Sequence, residues 1–191
     1  MEHALLLAKK QGGGPVACFA RNRLCAMTQA HLRVSADSLL DVLLDRRIRL
    51  GISTPQSDPA GDYAIALFHK AEWFRPGSCA ALDAKAMKLT GGPSSETAPA
   101  GRNQYAWIME NDKADVFLTY YTNAMLARAE LPQLNIVPLP IELSVGTECG
   151  ILVLSGAPNA ASRFVRFVLS DAGQSILRSF GFETRAVSAS R

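Results

Sequence analysis

Two stretches of this chain combine residue types and spacing that could hold a small anion. The first is Ser53-Thr-Pro-Gln-Ser-Asp-Pro-Ala-Gly-Asp-Tyr63, where small and turn-forming residues lead directly into an apolar helical pattern. Backbone N–H groups of Ala60, Gly61 and Asp62 would point outward at the start of that helix. Unpaired donors and the helix dipole favour negative charge there. The same residues also suit an ordinary strand-to-helix turn capped by Asp58, whose carboxylate would repel an anion. The second stretch is Asp115-Val-Phe-Leu-Thr-Tyr-Tyr-Thr-Asn-Ala124, an apolar run ending in hydroxyls and an amide. Tyr120, Thr122 and Asn123 can offer uncharged hydrogen bonds to an oxyanion. The plainer alternative is that Tyr120 packs while Thr122 and Asn123 cap the next helix.

Other chemistry has little to draw on. His3, His31 and His69 are isolated, and neither a G-x-S-x-G elbow nor an H-E-x-x-H or paired C-x-x-C set occurs. Gly12-Gly-Gly-Pro15 lacks the lysine and hydroxyl that a phosphate loop requires. An enzyme is therefore not expected, nor a cofactor or metal. Cys18, Cys25, Cys79 and Cys149 have no metal-ligand spacing and read as packing thiols, with Cys18 and Cys25 able to pair only if the protein is exported.

The elements that must position the two stretches follow from periodicity. A helix over residues 1–10 is stopped by Gly12–Pro15, and a strand runs from Val16 to Met27. Asp37 reads as the cap of a helix carrying Leu39, Leu40, Val42, Leu43 and Leu44, before a short buried strand over Ile48–Ser53. Tyr63, Ala64, Leu67, Phe68 and Ala71 recur at helical spacing, and a further helix is expected over Ala80–Leu89. Thr90–Gly101 is rich in Gly, Pro and Ser and reads as an exposed loop. Then come a helix over Asn103–Glu110, a strand over Asp115–Tyr120, a helix over Thr122–Ala129 and strands near Asn135–Leu139 and Val145–Leu154. Helices over Asn159–Leu169 and Asp171–Phe180 close the pattern, with Ser170 as cap and Gly181 as left-handed stop. Strand and helix alternate, so a mainly parallel sheet is expected, with ligand contacts at the carboxyl ends of its strands.

Composition is compatible with this reading. The chain has 191 residues, 48% of them hydrophobic, which suffices for a buried core. Twenty basic and seventeen acidic residues leave a net charge of +3, too slight to call for a nucleic-acid partner. No apolar run reaches the roughly 18–20 residues needed to cross a bilayer.

Four segments, Phe19-Ala-Arg-Asn-Arg-Leu24, Asp58-Pro-Ala-Gly-Asp-Tyr-Ala64, Asp115–Ala124 and Leu169-Ser-Asp-Ala-Gly-Gln-Ser-Ile-Leu-Arg-Ser-Phe-Gly-Phe182, occur in one order over residues 16–182. Together they resemble the molybdate-binding proteins of ABC transporters. The resemblance implies an α/β type II periplasmic-binding-protein-like fold, with 19–144 as a complete second lobe and 1–18 plus 145–191 as an incomplete first lobe. It implies a periplasmic protein that binds molybdate, tungstate or a similar small oxyanion and delivers it to ABC transporter membrane subunits. Carried over residue by residue, Ala60 matches a backbone-amide contact and Tyr120 a binding tyrosine. A third contact, another backbone amide, falls near Arg102, where a longer insertion around 75–100 loosens the match. The candidate ligand set is thus Ala60, Gly61, Arg102, Tyr120, Thr122 and Asn123.

The opening strands of that family have no counterpart before Phe19, and Met1-Glu-His-Ala-Leu-Leu-Leu-Ala does not read as a secretion signal. Met1 is therefore expected to be an internal methionine, with oxyanion binding impaired and self-association through the incomplete lobe. Two other readings stay open: a binding protein for another small organic solute, and the ligand-sensing domain of a transcription regulator built on the same fold.

Overall fold

The computed structural model describes residues 1–184, which divide into two compact units: Met1–Arg23 with Gly146 onward, and Leu24–Val145. The division falls within strand β1 (Ala17–Thr28), five residues beyond the boundary expected at residue 18. The reason is that the two halves of this strand have different partners. Ala17–Arg23 pairs antiparallel with β6 (Gly146–Ile151), whereas Leu24–Thr28 pairs antiparallel with β4 (Val116–Tyr120) and, from Cys25, with β5 (Asn135–Pro138).

In the larger unit the strand order is β3-β2-β4-β1-β5. β2 (Leu50–Ser53) runs parallel to both β3 (Met87–Thr90) and β4. The sheet is therefore mixed rather than mainly parallel, because β1 enters antiparallel to its neighbours. The expected helix over Ala80–Leu89 is likewise corrected. α4 (Ser78–Lys85) stops at Lys85, and Met87–Thr90 extends as β3 along the edge of β2. Ala-Lys-Ala-Met-Lys-Leu has good helix propensity, but ladder pairing with a buried strand outweighs a few tenths of a kcal/mol per residue.

Alternation along the strands sorts the core onto two faces. Leu24, Ala26, Leu50, Ile52, Val116 and Leu118 face one side, against Ala60, Ala64, Leu67, Phe68 and Ala71 of α3 (Pro59–Phe74) and Leu39 and Leu43 of α2 (Leu39–Leu44). Cys25, Met27 and Phe117 face the other, against α5 (Gln104–Glu110) and α6 (Tyr121–Glu130) through Ala106, Met109, Ala124 and Ala127. Gly51 lies opposite Phe117, and a Cβ there would come within 2.6 Å of the Phe117 ring. Helix α2 is capped from Ser38 rather than Asp37, and Ser38 makes no side-chain cap bond.

In the smaller unit, α1 (Glu2–Gln11) packs on β6, and the Met1 amino group donates to Glu148 O at 2.5 Å. α7 (Asn159–Leu169) and α8 (Asp171–Ser179) form a hairpin, with Ser170 Oγ capping α8 by accepting from Gly173 N. The Gln174 side chain ties α8 to β1 by donating to Phe19 O at 3.0 Å. Helix α7 buries none of its residues, and Phe164, Phe167, Ile176 and Phe180 remain exposed. Among the described residues no helix is long and apolar enough to cross a membrane.

Cys18 and Cys25 do not pair. Both lie on one extended strand, where residues seven apart are beyond disulfide reach, and none of the four cysteines is in a disulfide.

Candidate ligand site

The two stretches singled out in the sequence meet at the carboxyl ends of β2 and β4, adjacent parallel strands of the larger unit. The turn after β2 carries α3 back over the sheet at close range. A Cβ on Gly61 would lie 2.5 Å from Ser53 O and 2.7 Å from Pro55 N, so only glycine lets the helix start so near the strand end. Ala60 and Gly61 are buried there. One turn further, Tyr63 packs on Tyr120 with ring centroids 6.0 Å apart and planes tilted by 58°. Ala60, Tyr63 and Tyr120 all belong to the core on the α3 face. The helix start and the end of β4 thus converge on one side of the sheet.

The donors at the helix start are engaged. Asp58 is the N-cap, and its Oδ1 accepts from Ala60 N at 2.9 Å; Gly61 N donates to Asp58 O at 2.9 Å. Asp62 Oδ1 accepts from Gln56 N at 2.8 Å, holding Gln56 at a φ of 66°. Two carboxylates of the protein therefore stand where an external anion would be drawn. The glycine pair after β3 closes over the same turn: Gly91, at a φ of 80°, has room only for hydrogen beside Asp58, and Thr54 donates through its amide and its hydroxyl to Thr90 O.

A second polar group occupies the opposite face of the sheet. Asn123 Nδ2 donates to Tyr105 Oη at 3.0 Å and to Thr119 Oγ1 at 3.2 Å. Tyr105 stands edge-on to Phe117, with centroids 5.3 Å apart. Burial pushes the Tyr105 phenol up and the Asp58 carboxylate adds to this, while Thr119, Ser53 and Asn123 pull the other way. The phenol stays neutral. Ser53 Oγ, at the last residue of β2, is fully buried and lies near that phenol without reaching hydrogen-bond geometry.

Of the six residues expected from the sequence, Ala60, Gly61 and Tyr120 are brought together. Asn123 is not with them: its amide hydrogens are spent on Tyr105 and Thr119, on the face that carries α5 and α6. Thr122 is buried in the first turn of α6. Arg102 lies just before the Asn103 cap of α5. Its amide donates to Pro99 O at 3.1 Å, and its guanidinium bridges Glu110 at 2.6 Å and Glu130 at 2.5 Å, so it fastens the start of α5 to α6. Ser53, Thr119 and Tyr105 were not anticipated. Only the position of Ser53 and Thr119 at strand ends could have marked them, and Tyr105 reads as one more helix-face aromatic.

The chain matches the profile of bacterial extracellular solute-binding proteins over residues 2–183. It belongs to that family. An uncharacterised Pasteurella multocida protein, PM1146, is 37% identical over 166 residues, 86% of this chain and 67% of its own length. Among solved structures, a substrate-binding domain assigned to a molybdenum ABC transporter of Clostridium difficile superposes with a TM-score of 0.69 at 18% identity, covering 97% of this chain and 74% of its own. The periplasmic molybdate-binding protein of Azotobacter vinelandii does so with a TM-score of 0.64 at 16% identity, covering 97% and 76%. Both likenesses show the type II periplasmic-binding-protein fold. The family is one of extracellular solute binders.

Proposed function

We propose that this solute-binding protein takes a small tetrahedral oxyanion, of which molybdate and tungstate are the first candidates, and presents it to the membrane subunits of an ABC importer. The observation that supports this reading is the convergence of the α3 start at Ala60 with Tyr120 at the ends of β2 and β4, secured by the Tyr63–Tyr120 ring contact. A helix N-terminus supplies oriented amides and a phenol supplies a neutral donor. Such a set suits a desolvated anion better than a lysine would, because its donors carry no full charge of their own to strip of water.

The Asp58 side chain must leave Ala60 N for the anion to take its place, so ligand and cap compete for one donor. That competition distinguishes this chain from a site of neutral groups alone. It also favours a second ligand class, a small organic solute whose hydroxyl or ammonium group could hydrogen-bond to the Asp58 carboxylate rather than displace it.

Thermal unfolding with molybdate, tungstate, sulfate and a panel of small hydroxy acids and amino acids, each up to millimolar concentration, separates the two. A ligand at 100 times its Kd stabilises the folded state by about 2.7 kcal/mol. Stabilisation by the tetrahedral oxyanions that is lost in Tyr120→Phe supports the proposal. Stabilisation by an organic solute alone replaces it with the second class.

A further inference from the structure

Away from that site, helices α3 and α4 enclose a groove of 390 Å³ lined by Ile65, Phe68, His69, Glu72, Cys79 and Asp83, among others. Its chemistry has no part in oxyanion binding. His69 and Glu72 sit one turn apart on α3, Cys79 and Asp83 one turn apart on α4, and the two helices pack along each other. Cys79 Sγ lies 3.5 Å from His69 Nδ1, close enough for the thiol to donate to the imidazole. Glu72 fixes the geometry from below: its two carboxylate oxygens accept from Gly77 N at 2.7 Å and Cys79 N at 2.8 Å, which holds Cys79 in the first turn of α4. Both charged groups at the groove, Glu72 and Asp83, are acidic.

The other three thiols lack this setting. Cys25 is fully buried in the sheet core. Cys18 and Cys149 are half-buried on β1 and β6, and burial pushes the Cys149 thiol up. Among the described residues no three His, Cys, Asp or Glu side chains converge to hold a metal ion, so a ligand sphere is not the explanation for the pair. A thiol with an imidazole nitrogen in reach of its proton, beside an open apolar-floored groove, instead has the pairing of a nucleophile with a base.

We infer that Cys79 is a site of reversible thiolation, reacting with small disulfides of positive charge in the oxidising extracellular compartment. His69 Nδ1 takes the thiol proton as Cys79 Sγ attacks one sulfur of the reagent. The reagent's S–S bond breaks, one half remains as a mixed disulfide on Cys79, and the other leaves as a thiolate that recovers the proton. The protein sulfur is oxidised and the departing half is reduced, with no further oxidant. Glu72 and Asp83 attract a cationic reagent and repel an anionic one. The apolar floor formed by Ile65 and Phe68 accommodates its carbon chain.

The test is the rate and place of labelling of the native full chain by cystamine, a dication, and by oxidised glutathione, an anion, read by intact mass and peptide mapping. Cys79 is expected to carry the first cysteamine adduct, faster than any glutathione adduct, with the preference shrinking as salt is added. His69→Gln should slow that adduct about tenfold, and Asp83→Asn should narrow the difference between the two reagents. Both side chains are exposed, so unchanged unfolding midpoints are expected and separate a chemical effect from a folding defect. First labelling at another cysteine, or an unchanged rate in His69→Gln, overturns the inference.

Discussion

Asp58 Oδ1 accepts a hydrogen bond of 2.9 Å from Ala60 N, the donor that an incoming oxyanion would need. One side chain is thus the cap of a sixteen-residue helix and, in the proposed site, a competitor for the anion. Substitutions separate the roles. Asn caps nearly as well as Asp but carries no charge. Asp58→Asn should leave stability almost unchanged and raise oxyanion affinity by roughly tenfold, about 1.4 kcal/mol, a modest fraction of the repulsion between unit charges a few ångströms apart. Asp58→Ala should lower stability by about 1 kcal/mol. Titration calorimetry and urea unfolding on the two variants check both expectations.

The close approach of α3 to the end of β2 depends on Gly61. A Cβ there meets Ser53 O at 2.5 Å and Thr54 C at 2.8 Å, both backbone atoms that cannot rotate away. Gly61→Ala should destabilise the chain by about 1–3 kcal/mol and displace the helix start from Tyr120. The unfolding midpoint reads the first effect, and loss of oxyanion-induced stabilisation reads the second.

How much of this was legible in the sequence depended on whether local pattern or distant pairing decided the outcome. Helix α7 has the bounds expected from its apolar spacing, and the caps Asn103 and Ser170 act as their residue types suggest. Ala60 and Tyr120 could be placed because each ends a segment with its own signal, a Pro-Ala-Gly helix start and an apolar strand running into hydroxyls. Strand β3 could not, since nothing in Met87–Thr90 reveals that β2 offers it an edge. The ion pairs of Arg102 were hidden for a similar reason: counting back from Tyr120 marks only its backbone amide, whereas the partners of its guanidinium, Glu110 and Glu130, are set by the packing of α5 on α6. Asn123 was grouped with Tyr120 because sequence proximity hides the face on which each side chain lands.

Acid stability should follow Asp115. Its carboxylate takes Arg49 Nη2 at 2.6 Å, Arg49 Nε at 3.0 Å and Arg49 N at 2.8 Å, and the Arg49 side chain also donates to Asp112 O. The hydrogen bonds from the guanidinium hold this carboxyl below the usual range. A group whose value is depressed by folding contributes stability that is fully present above its unfolded value, about 3.9, and that is lost as pH falls through the folded value. Asp115→Asn should therefore be less stable than the parent chain near neutrality, with the gap closing as pH drops below about 4. Urea midpoints measured across that range show whether it closes.

The α7–α8 hairpin leaves Phe164 62% and Phe180 56% exposed, and Phe164 lines an apolar hollow with Phe19, Ile151, Phe167 and Leu177. An apolar surface of this kind favours association. The chain should sediment as a concentration-dependent mixture of monomer and larger species. Phe164→Ser with Phe180→Ser should shift it toward monomer, and a single species at every concentration contradicts the expectation.

Whether Ala60 and Tyr120 bound one anion site is read directly by amide NMR. On titrating tungstate into the labelled chain, the signals of Ala60, Gly61 and Tyr120 should move together and saturate at a common concentration. Asp58→Asn should reach saturation earlier. Shifts confined to other residues, or none at these three up to millimolar tungstate, would rule that site out.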